Sequence, residues 1–299
     1  MPEEQPQRLG LVLTGGSLRG ICAEAAGLVL LERLGYRFDA IIGASAGAIV
    51  GGLYATGRTG EDIVKLLRTA TRKDFIDFDR RGAFRAFRNR FKGWHGLLKG
   101  DALLGWLRAN LPPDSRLETT KPPLRLAVTN VSRGVGQVKT AGPLPEYIRA
   151  SAAMPFAFRM QEVDGEWYAD GGVVNNIPVD DLAEAKLGLT RLFVVTPLKL
   201  TTPEPEPDNA FLRKSSTPVT ILRRFAKAIE RDLRAQNLET GGIPLTLVRP
   251  RVPSVDLLKP EKIGPAIDAG LADLERQLKS GELQLAPAAP PREPSFATP

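Results

Sequence analysis

Short apolar runs alternate along the chain with longer segments whose apolar residues recur at helical spacing. The apolar runs predict strands at 9–13, 40–42, 124–129, 135–139, 167–170, 191–196 and 245–248. The helical spacing predicts helices at 18–34, 46–55, 145–153, 178–187, 218–238 and 263–278. Strands that alternate with helices favour an α/β fold, a three-layer α/β/α arrangement around a mainly parallel sheet. Such sheets bind ligands beyond the C-terminal ends of their strands.

The predicted elements extend from residue 9 to residue 285 without an internal repeat, and we interpret 9–285 as a single domain. A chain of 299 residues, 42% of them hydrophobic, can bury a core without disulfides or a structural metal. Residues 1–8 and 286–299 are rich in proline and lack apolar periodicity, so both are predicted to be disordered tails. A loop rich in proline and acidic residues is expected at 201–209.

Most of the positive charge of the chain lies in one segment. The formal net charge is +7, and residues 68–99 contain ten Lys and Arg against three Asp, so the rest of the chain is close to neutral. A general nucleic-acid-binding surface more often shows several basic patches, and no nucleic-acid partner is expected. One basic segment indicates one local partner or one unusual element.

Aromatic residues within this segment recur at intervals of three, four and three, which places them on one face of a helix: Phe84, Phe87, Phe91 and Trp94. Arginines and a lysine lie between them. A basic amphipathic helix with aromatics is typical of a contact with an anionic lipid surface. The alternative is a cap helix whose aromatics pack on the core. We therefore interpret 68–99 as a cap or lid, with 84–94 as a candidate peripheral membrane contact.

The sequence contains one cysteine, Cys22, and one histidine, His95. An internal disulfide framework, a Cys-rich zinc site and a multi-histidine metal centre are thereby excluded, and no metal or cofactor is expected. No secretory signal is visible, and the longest uncharged run, 40–57, contains five glycines and is interpreted as buried structure. These features favour a cytoplasmic location, with peripheral contact to the inner face of the membrane as a further expectation.

The pentapeptide Gly43-Ala44-Ser45-Ala46-Gly47 follows a predicted strand and begins a predicted helix. This context is the one that a G-x-S-x-G nucleophile elbow requires, because the sharp turn exposes the serine hydroxyl and needs small neighbours. The alternative is a tight strand–helix turn that uses small residues for packing alone. The context favours Ser45 as a nucleophile.

A serine nucleophile needs a base. The α/β-hydrolases place a histidine after the acid of the triad, and the chain has no histidine after its late Asp170-Gly171-Gly172 motif. The base must then be a carboxylate or a lysine. Asp170 lies at the end of a predicted strand and could reach into a cleft, although Asp-Gly is also common in hairpin turns.

The loop between the first strand and the first helix, 14–20, is rich in glycine. Its backbone N–H groups and the helix dipole form an anion-binding end, which in acyl transfer would hold the oxyanion of the tetrahedral intermediate. The rival interpretation is a dinucleotide-binding loop. It is weaker because Ser17 occupies the middle glycine position of G-x-G-x-x-G and the acid expected at the end of the second strand is missing.

Taken together, these motifs resemble those of the patatin-like phospholipases, which carry G-G-G-x-[R/K]-G, G-x-S-x-G and D-G-[G/A] in this order. Here the first motif stands as Gly15-Gly16-Ser17-Leu18-Arg19-Gly20, with Ser17 in place of the third glycine. The family's Ser-x-x-x-Pro and Asn-x-Pro motifs have counterparts in Ser151 to Pro155 and Asn176 to Pro178. The resemblance covers roughly residues 9 to 200.

The resemblance implies a serine lipid acyl hydrolase, similar to phospholipase A or lysophospholipase, with a Ser–Asp dyad and a lipid substrate. Ser45 would attack an ester carbonyl and Asp170 would accept its proton. The backbone N–H groups of Gly15, Gly16 and Ser17 would hold the oxyanion, and Arg19 would support that loop. A catalytically inactive lipid-binding or scaffold protein of the same fold is the main alternative, and a nucleotide-binding protein is the second.

Overall fold

A computed structural model describes residues 7–79, 82, 96–198 and 240–285. Its strands, numbered in chain order, are β1 Leu9–Leu13, β2 Ala40–Ala44, β3 Gly96–Leu98, β4 Leu124–Asn130, β5 Val135–Lys139, β6 Phe156–Phe158, β7 Gln161–Val163, β8 Glu166–Asp170, β9 Arg191–Val195 and β10 Leu245–Val248. Its α-helices are α1 Ser17–Arg33, α2 Ala46–Ala55, α3 Gly60–Thr69, α4 Arg72–Phe75, α5 Asp101–Asn110, α6 Leu144–Ser151, α7 Val179–Ala183 and α8 Ile263–Lys279.

Within the described residues, eight strands form one sheet, whose main path runs β10-β9-β1-β2-β4-β8-β7, with β5 paired to β4. The five strands from β10 to β4 are parallel, whereas β5, β7 and β8 pair in antiparallel fashion. The predicted mainly parallel sheet is therefore confirmed. A second, two-stranded sheet joins β3 and β6.

The two faces of the sheet bury separate apolar clusters. Because side chains alternate along a strand, Leu11 and Leu13 of β1 pack with α1, α2, α3 and α8, and Val12 packs on the opposite face with α7. In both clusters, the side chains that come from the strands of the sheet are buried. The predicted three-layer α/β/α fold is confirmed by this arrangement.

Several predicted boundaries agree with the structure residue for residue: 9–13, 46–55, 135–139 and 245–248. The helix predicted at 178–187 is shorter, Val179–Ala183, and the helix predicted at 218–238 lies outside the described residues. Helices α3, α4 and α5 were not predicted. A signal for α3 was present, because Thr59 and Asp62 form a capping box at its start.

The two predicted tails lie mostly outside the described residues. The backbone N–H and carbonyl of Arg8 hydrogen-bond to Thr190, so ordered structure begins at least one residue before the expected start at residue 9. Residues 1–6 and 286–299 are outside the described part of the chain.

Strand β4 brings β2 and β8 together. Strand β5 pairs with residues 126–130 of β4 and fills one edge, so the opposite edge accommodates β2 and then β8. The last residue of β2 in this ladder, Ala44, pairs with Ala127, and the last residue of β8, Asp170, pairs with Val128. Since β2 is parallel and β8 antiparallel to β4, their C-terminal ends meet. The residues that follow β2 and those that end β8 are thereby neighbours.

Candidate active site

Ser45 lies between β2 and α2 in a backbone conformation that few non-glycine residues adopt, with φ 53° and ψ −111°. The two glycines of the motif make this turn feasible. A Cβ atom on Gly43 would overlap the Gly47 carbonyl, and one on Gly47 would overlap the Leu13 carbonyl. The strained turn holds the Ser45 side chain at the C-terminal edge of the sheet, as the elbow motif predicts.

The Ser45 hydroxyl donates a hydrogen bond of 2.6 Å from Oγ to Oδ2 of Asp170. Both side chains are nearly closed to solvent, with exposed fractions of 7% for Ser45 and 3% for Asp170. The other oxygen of the carboxylate, Oδ1, accepts the Gly172 N–H at 2.7 Å. The structure therefore brings together the two groups that the sequence singled out, separated by 125 positions in the chain.

Burial raises the pKa of Asp170 to about 6, because desolvation disfavours the charged carboxylate. The hydrogen bonds from Ser45 and Gly172 act in the opposite direction and lower it. The net result is a carboxyl group that can exchange a proton near neutral pH, which is the range that suits a general base.

The turn that follows Asp170 depends on two glycines. A Cβ atom on Gly171 would overlap the Ala127 carbonyl of β4, and one on Gly172 would come too close to Oδ1 of Asn176. The carboxylate is thereby held against the strand ends by backbone contacts, with Thr129 Oγ1 donating to the Asp170 carbonyl at 2.8 Å. Each residue of the motif Asp170-Gly171-Gly172 therefore has a structural role in this turn.

The glycine-rich loop begins directly after β1 and lies beside Ser45. A Cβ atom on Gly15 would be 3.3 Å from the Ser45 Cβ. The Gly15 N–H, which was expected to hold an oxyanion, already donates to the Asn176 carbonyl at 3.3 Å. The backbone N–H groups of Gly16 and Ser17 have no hydrogen-bond acceptor among the described residues. Both groups lie at the N-terminus of α1, where the first N–H groups of a helix have no partner within the helix.

Ser17 adopts φ 54°, in the left-handed region that glycine favours, although it is a serine. The loop therefore has the left-handed conformation expected of the glycine that the family motif has at this position. Arg19, expected to support the loop, donates from Nε to the Val252 carbonyl at 3.2 Å. This contact ties the first turn of α1 to the segment after β10, so any support that Arg19 lends to the loop acts through the helix.

A cavity of about 100 Å³ opens next to Ser45 and Asp170. Its other lining residues are mostly apolar and come from four helices, from β6 and from loops: Ser17, Leu18, Ile21, Ala46, Ile49, Phe75, Leu103, Ala152, Met154, Ala157, Phe158 and Leu257. A hydroxyl and a carboxyl in the wall of an otherwise apolar cavity suit a substrate with a polar reacting centre and an apolar chain.

Sequence reasoning quoted Ser151 only as part of a motif and assigned it no role. In the structure it is fully buried, and its Oγ accepts the Ser45 N–H at 3.0 Å and donates to the Ala127 carbonyl at 2.7 Å. The hydroxyl thus joins the elbow to β4. The Ser-x-x-x-Pro motif was the signal that could have identified this role.

Two further expectations concern residues away from Ser45 and Asp170. Burial raises the pKa of Cys22 to about 12, so this thiol is not a reactive group at neutral pH. The aromatic face at 84–94 and His95 lie outside the described residues. No helix in the described part of the chain is long and apolar enough to cross a membrane.

A family model described as Patatin-like phospholipase matches residues 11–183, which contain the glycine-rich loop, Ser45, Ser151 and Asp170. The chain belongs to this family. The match supports the resemblance inferred from the motifs and agrees with the three-layer fold. The patatin-like motifs accordingly lie where the fold places the candidate site, at the C-terminal edge of the sheet.

Individual relatives share about 30% sequence identity with this chain or less. An uncharacterized NTE family protein of Mycobacterium tuberculosis is 31% identical over 185 residues, which are 61% of this patatin-like chain and 48% of that protein. Lysophospholipase NTE1 of Saccharomyces cerevisiae is 28% identical over 189 residues, or 59% of this chain and 10% of that protein. The chain therefore spans at most about half the length of these relatives. The crystal structure of VipD from Legionella pneumophila aligns at a TM-score of 0.46 and 15% identity, covering 92% of this chain and 67% of that chain.

Proposed function

We propose that this protein hydrolyses carboxylic esters of lipids, with Ser45 as the nucleophile and Asp170 as the general base. The observation that carries the proposal is the 2.6 Å hydrogen bond from Ser45 Oγ to Asp170 Oδ2 in the wall of an apolar cavity. Membership of the patatin-like phospholipase family and the lysophospholipase among its relatives favour a lipid over other esters.

In the acylation step, Asp170 removes the Ser45 proton as Oγ attacks the ester carbonyl carbon. The negative charge that develops on the carbonyl oxygen is held by the N–H groups of Gly16 and Ser17 and by the N-terminal end of the α1 dipole. When the tetrahedral intermediate collapses, the C–O bond of the ester breaks and Asp170 returns the proton to the leaving alcohol. An acyl group remains on Ser45.

Deacylation repeats these steps with water as the nucleophile. Asp170 accepts a proton from a water molecule, whose oxygen attacks the acyl-enzyme carbonyl. The same backbone N–H groups hold the second oxyanion. Collapse releases a fatty acid and returns the proton to Ser45 Oγ, so the dyad ends as it began and needs no imidazole.

The cavity suggests how a lipid would lie. Apolar side chains such as Ile21, Ile49 and Leu103 would surround the acyl chain next to the scissile bond. A volume of about 100 Å³ is small for a complete ligand, since ligand sites usually span about 300–1,000 Å³. We therefore propose that the cavity holds the first part of the acyl chain, and that the head group stays outside.

The test is covalent labelling by a fluorophosphonate together with mass spectrometry of products from mixed phospholipids and lysophospholipids. We expect Ser45→Ala to abolish labelling and release of fatty acid, and Asp170→Asn to slow both by about 10³-fold or more, because the base is removed while the fold is kept. Ser280→Ala, at the end of α8, is the matched control and should behave like the wild type.

Each alternative predicts a different result in this experiment. An inactive lipid-binding protein would bind the lipids without releasing fatty acid and would remain unlabelled. Labelling that persists in Ser45→Ala would assign the nucleophile to another residue.

A further inference from the structure

Asn176 lies between the turn that follows Asp170 and the start of α7, and it is only 7% exposed. Its backbone carbonyl accepts the Gly15 N–H at 3.3 Å. The mechanism proposed above makes no use of its side-chain amide. Burying an amide group is costly, so the place that this side chain occupies needs a reason.

The oxygen of this amide, Oδ1, lies against both glycine motifs of the site. A Cβ atom on Gly15 would be 2.0 Å from Asn176 Oδ1, and a Cβ atom on Gly172 would be 2.5 Å from it. Both distances are far below van der Waals contact, so the amide can occupy this place only while both residues are glycine. The side chain therefore fills the space between the glycine-rich loop and the turn that holds Asp170.

Each of these two glycines also borders a group of the proposed reaction. The Cβ position on Gly15 is 3.3 Å from the Ser45 Cβ, and the Cβ position on Gly172 is 3.0 Å from Oδ1 of Asp170. Asn176 thus contacts one backbone segment beside the nucleophile and another beside the base. Without its side chain, both segments would have room to move.

The backbone is anchored on each side of Asn176. Before it, the Asn175 N–H donates to the Gly171 carbonyl at 2.9 Å and closes a tight turn. After it, Ile177 is buried in the apolar cluster on the α7 face of the sheet. These two anchors determine where the amide lies, as a spacer between two loops requires.

We propose that Asn176 is a positioning residue whose side-chain amide holds the glycine-rich loop at a set distance from Ser45 and Asp170. The inference rests on the proposed hydrolase function for its effect on the rate. Its effect on the packing of the loop is independent of that function. A spacer matters at this place because a displacement of about 1 Å at a reacting centre can cost about 100-fold in rate.

A double-mutant cycle tests the contact itself. Gly15 has no positive φ angle, so Gly15→Ala should lower the melting temperature by about 5 °C through overlap of the new Cβ with Asn176 Oδ1. In the Asn176→Ala background the same substitution should cost less than half as much, because the amide oxygen is gone. Gly27→Ala, whose Cβ would overlap Val195, is the control and should lower the melting temperature equally in both backgrounds.

The effect on the reaction is measured as kcat and KM on a soluble short-chain ester. For Asn176→Ala we expect kcat to fall about 10- to 100-fold with KM almost unchanged, because the glycine-rich loop acts on the transition state. Asn110→Ala is the control. It removes an amide that donates to the Trp106 carbonyl at the end of α5, and it should behave like the wild type.

Asn176→Asp gives a readout that simple destabilisation would not produce, because it keeps the shape of the side chain and adds a negative charge. Asn176 Oδ1 and Asp170 Oδ1 both border the Cβ position on Gly172, so the two oxygens lie within about 6 Å of each other, a range at which a like charge raises a pKa. The pKa of Asp170 is otherwise set by burial and by hydrogen bonds from Ser45 and the Gly172 N–H. The pH below which kcat/KM falls should therefore be about one unit higher in Asn176→Asp than in the wild type.

Equal costs of Gly15→Ala in the two backgrounds would overturn the proposal, as would a wild-type kcat in Asn176→Ala. An unchanged pH dependence in Asn176→Asp would contradict the close approach of the amide to Asp170 and would overturn it as well. A wild-type protein that fails to hydrolyse the ester would instead contradict the hydrolase function. In that case the double-mutant cycle still decides whether Asn176 spaces the loop.

Discussion

At the scale of single residues, the site combines two features that cost stability. Ser17 and Ser45 both have positive φ angles, 54° and 53°, and Asp170 is an acidic side chain buried to 3% exposure. Strain and buried charge of this kind concentrate at functional sites, where the surrounding structure enforces them. The buried carboxyl of Asp170 and the positive φ of Ser17 each lead to a prediction that can be measured.

The raised pKa of Asp170 predicts the pH dependence of the reaction. A base must be ionised to accept a proton, so kcat/KM should be constant above pH about 6 and should fall about tenfold per pH unit well below it. The measurement is the rate on an uncharged soluble ester from pH 4 to pH 9, with circular dichroism at each pH to confirm folding. A rate that stays constant down to pH 4 would show that burial does not raise the pKa of the base.

The raised pKa of Asp170 also means that its charged carboxylate lowers the stability of the folded protein, and Asp170→Asn removes this cost. Because the folded-state pKa is raised, folding favours the protonated carboxyl, and the unfolding free energy of the wild type falls as pH rises from about 4 to about 6. A shift of about two units corresponds to about 3 kcal/mol. The Asp170→Asn variant should therefore be more stable than the wild type at pH 8, with most of this advantage lost at pH 4, in urea unfolding experiments.

The positive φ of Ser17 predicts that Ser17→Gly stabilises the protein. Glycine accepts the left-handed region without the steric penalty of a Cβ atom, so a gain of about 1 kcal/mol is expected in thermal unfolding. Ser280 is the matched control, since its φ of −84° suits any residue and Ser280→Gly should cost about 0.5–1 kcal/mol. A loss of stability in both variants would show that the loop stores no strain at Ser17.

At the scale of elements, the site is a junction of strand ends. Strands β2 and β8 approach each other along one edge of β4, and α6 presents Ser151 where they meet. Glycines at 43, 47, 171 and 172 allow backbones to pass where a side chain would overlap a carbonyl or an amide group. Ser45 and Asp170 are thus held by strands and a helix of the fold.

Removal of the Ser151 hydroxyl tests this junction. Ser151→Ala leaves the Ser45 N–H and the Ala127 carbonyl without their shared partner, and we expect about 2 kcal/mol lower stability together with a lower kcat. Ser115→Ala is the control, because its buried hydroxyl has no hydrogen-bond partner within the described residues. Equal effects of both substitutions would contradict a specific role for Ser151.

At the scale of the whole molecule, apolar side chains are exposed beside the cavity. Phe156 is 52% exposed next to the lining residue Ala157, and Leu258 is 48% exposed next to the lining residue Leu257. Exposed apolar groups near the proposed lipid site favour contact with a lipid surface. They complement the basic aromatic segment at 84–94, whose membrane contact stays a prediction, as does the cytoplasmic location.

Contact with a lipid surface predicts a difference between substrates. Phe156→Ser, and separately Phe87→Ser with Phe91→Ser, should reduce hydrolysis of anionic phospholipid vesicles about tenfold and hydrolysis of a soluble short-chain ester much less. Leu34→Ser, at the opposite end of α1 from the site and 41% exposed, is the control. Equal losses on vesicles and on the soluble ester would indicate a packing role instead of docking.

The order of strands and helices, the α/β class and the candidate nucleophile could all be predicted from the sequence, because each depends on local patterns. Periodicity places Leu9–Leu13 and Ala46–Ala55 correctly, and the spacing of small residues around Ser45 specifies an elbow. The one histidine, His95, precedes Asp170 in the chain, so the base cannot be a histidine that follows the acid, as it does in the α/β-hydrolases. The short strands β3, β6 and β7 were missed, since three residues are too few to show a period.

Tertiary structure alone decided the contacts between distant segments. The approach of Asp170 to Ser45 depends on the register of β2 and β8 against β4, and the pKa of Asp170 depends on how deeply that meeting point is buried. Likewise the N–H of Gly15 donates to the carbonyl of Asn176, which lies more than 160 positions later in the chain. Pairing register and burial arise from the packing of the complete chain, so no local pattern can encode them.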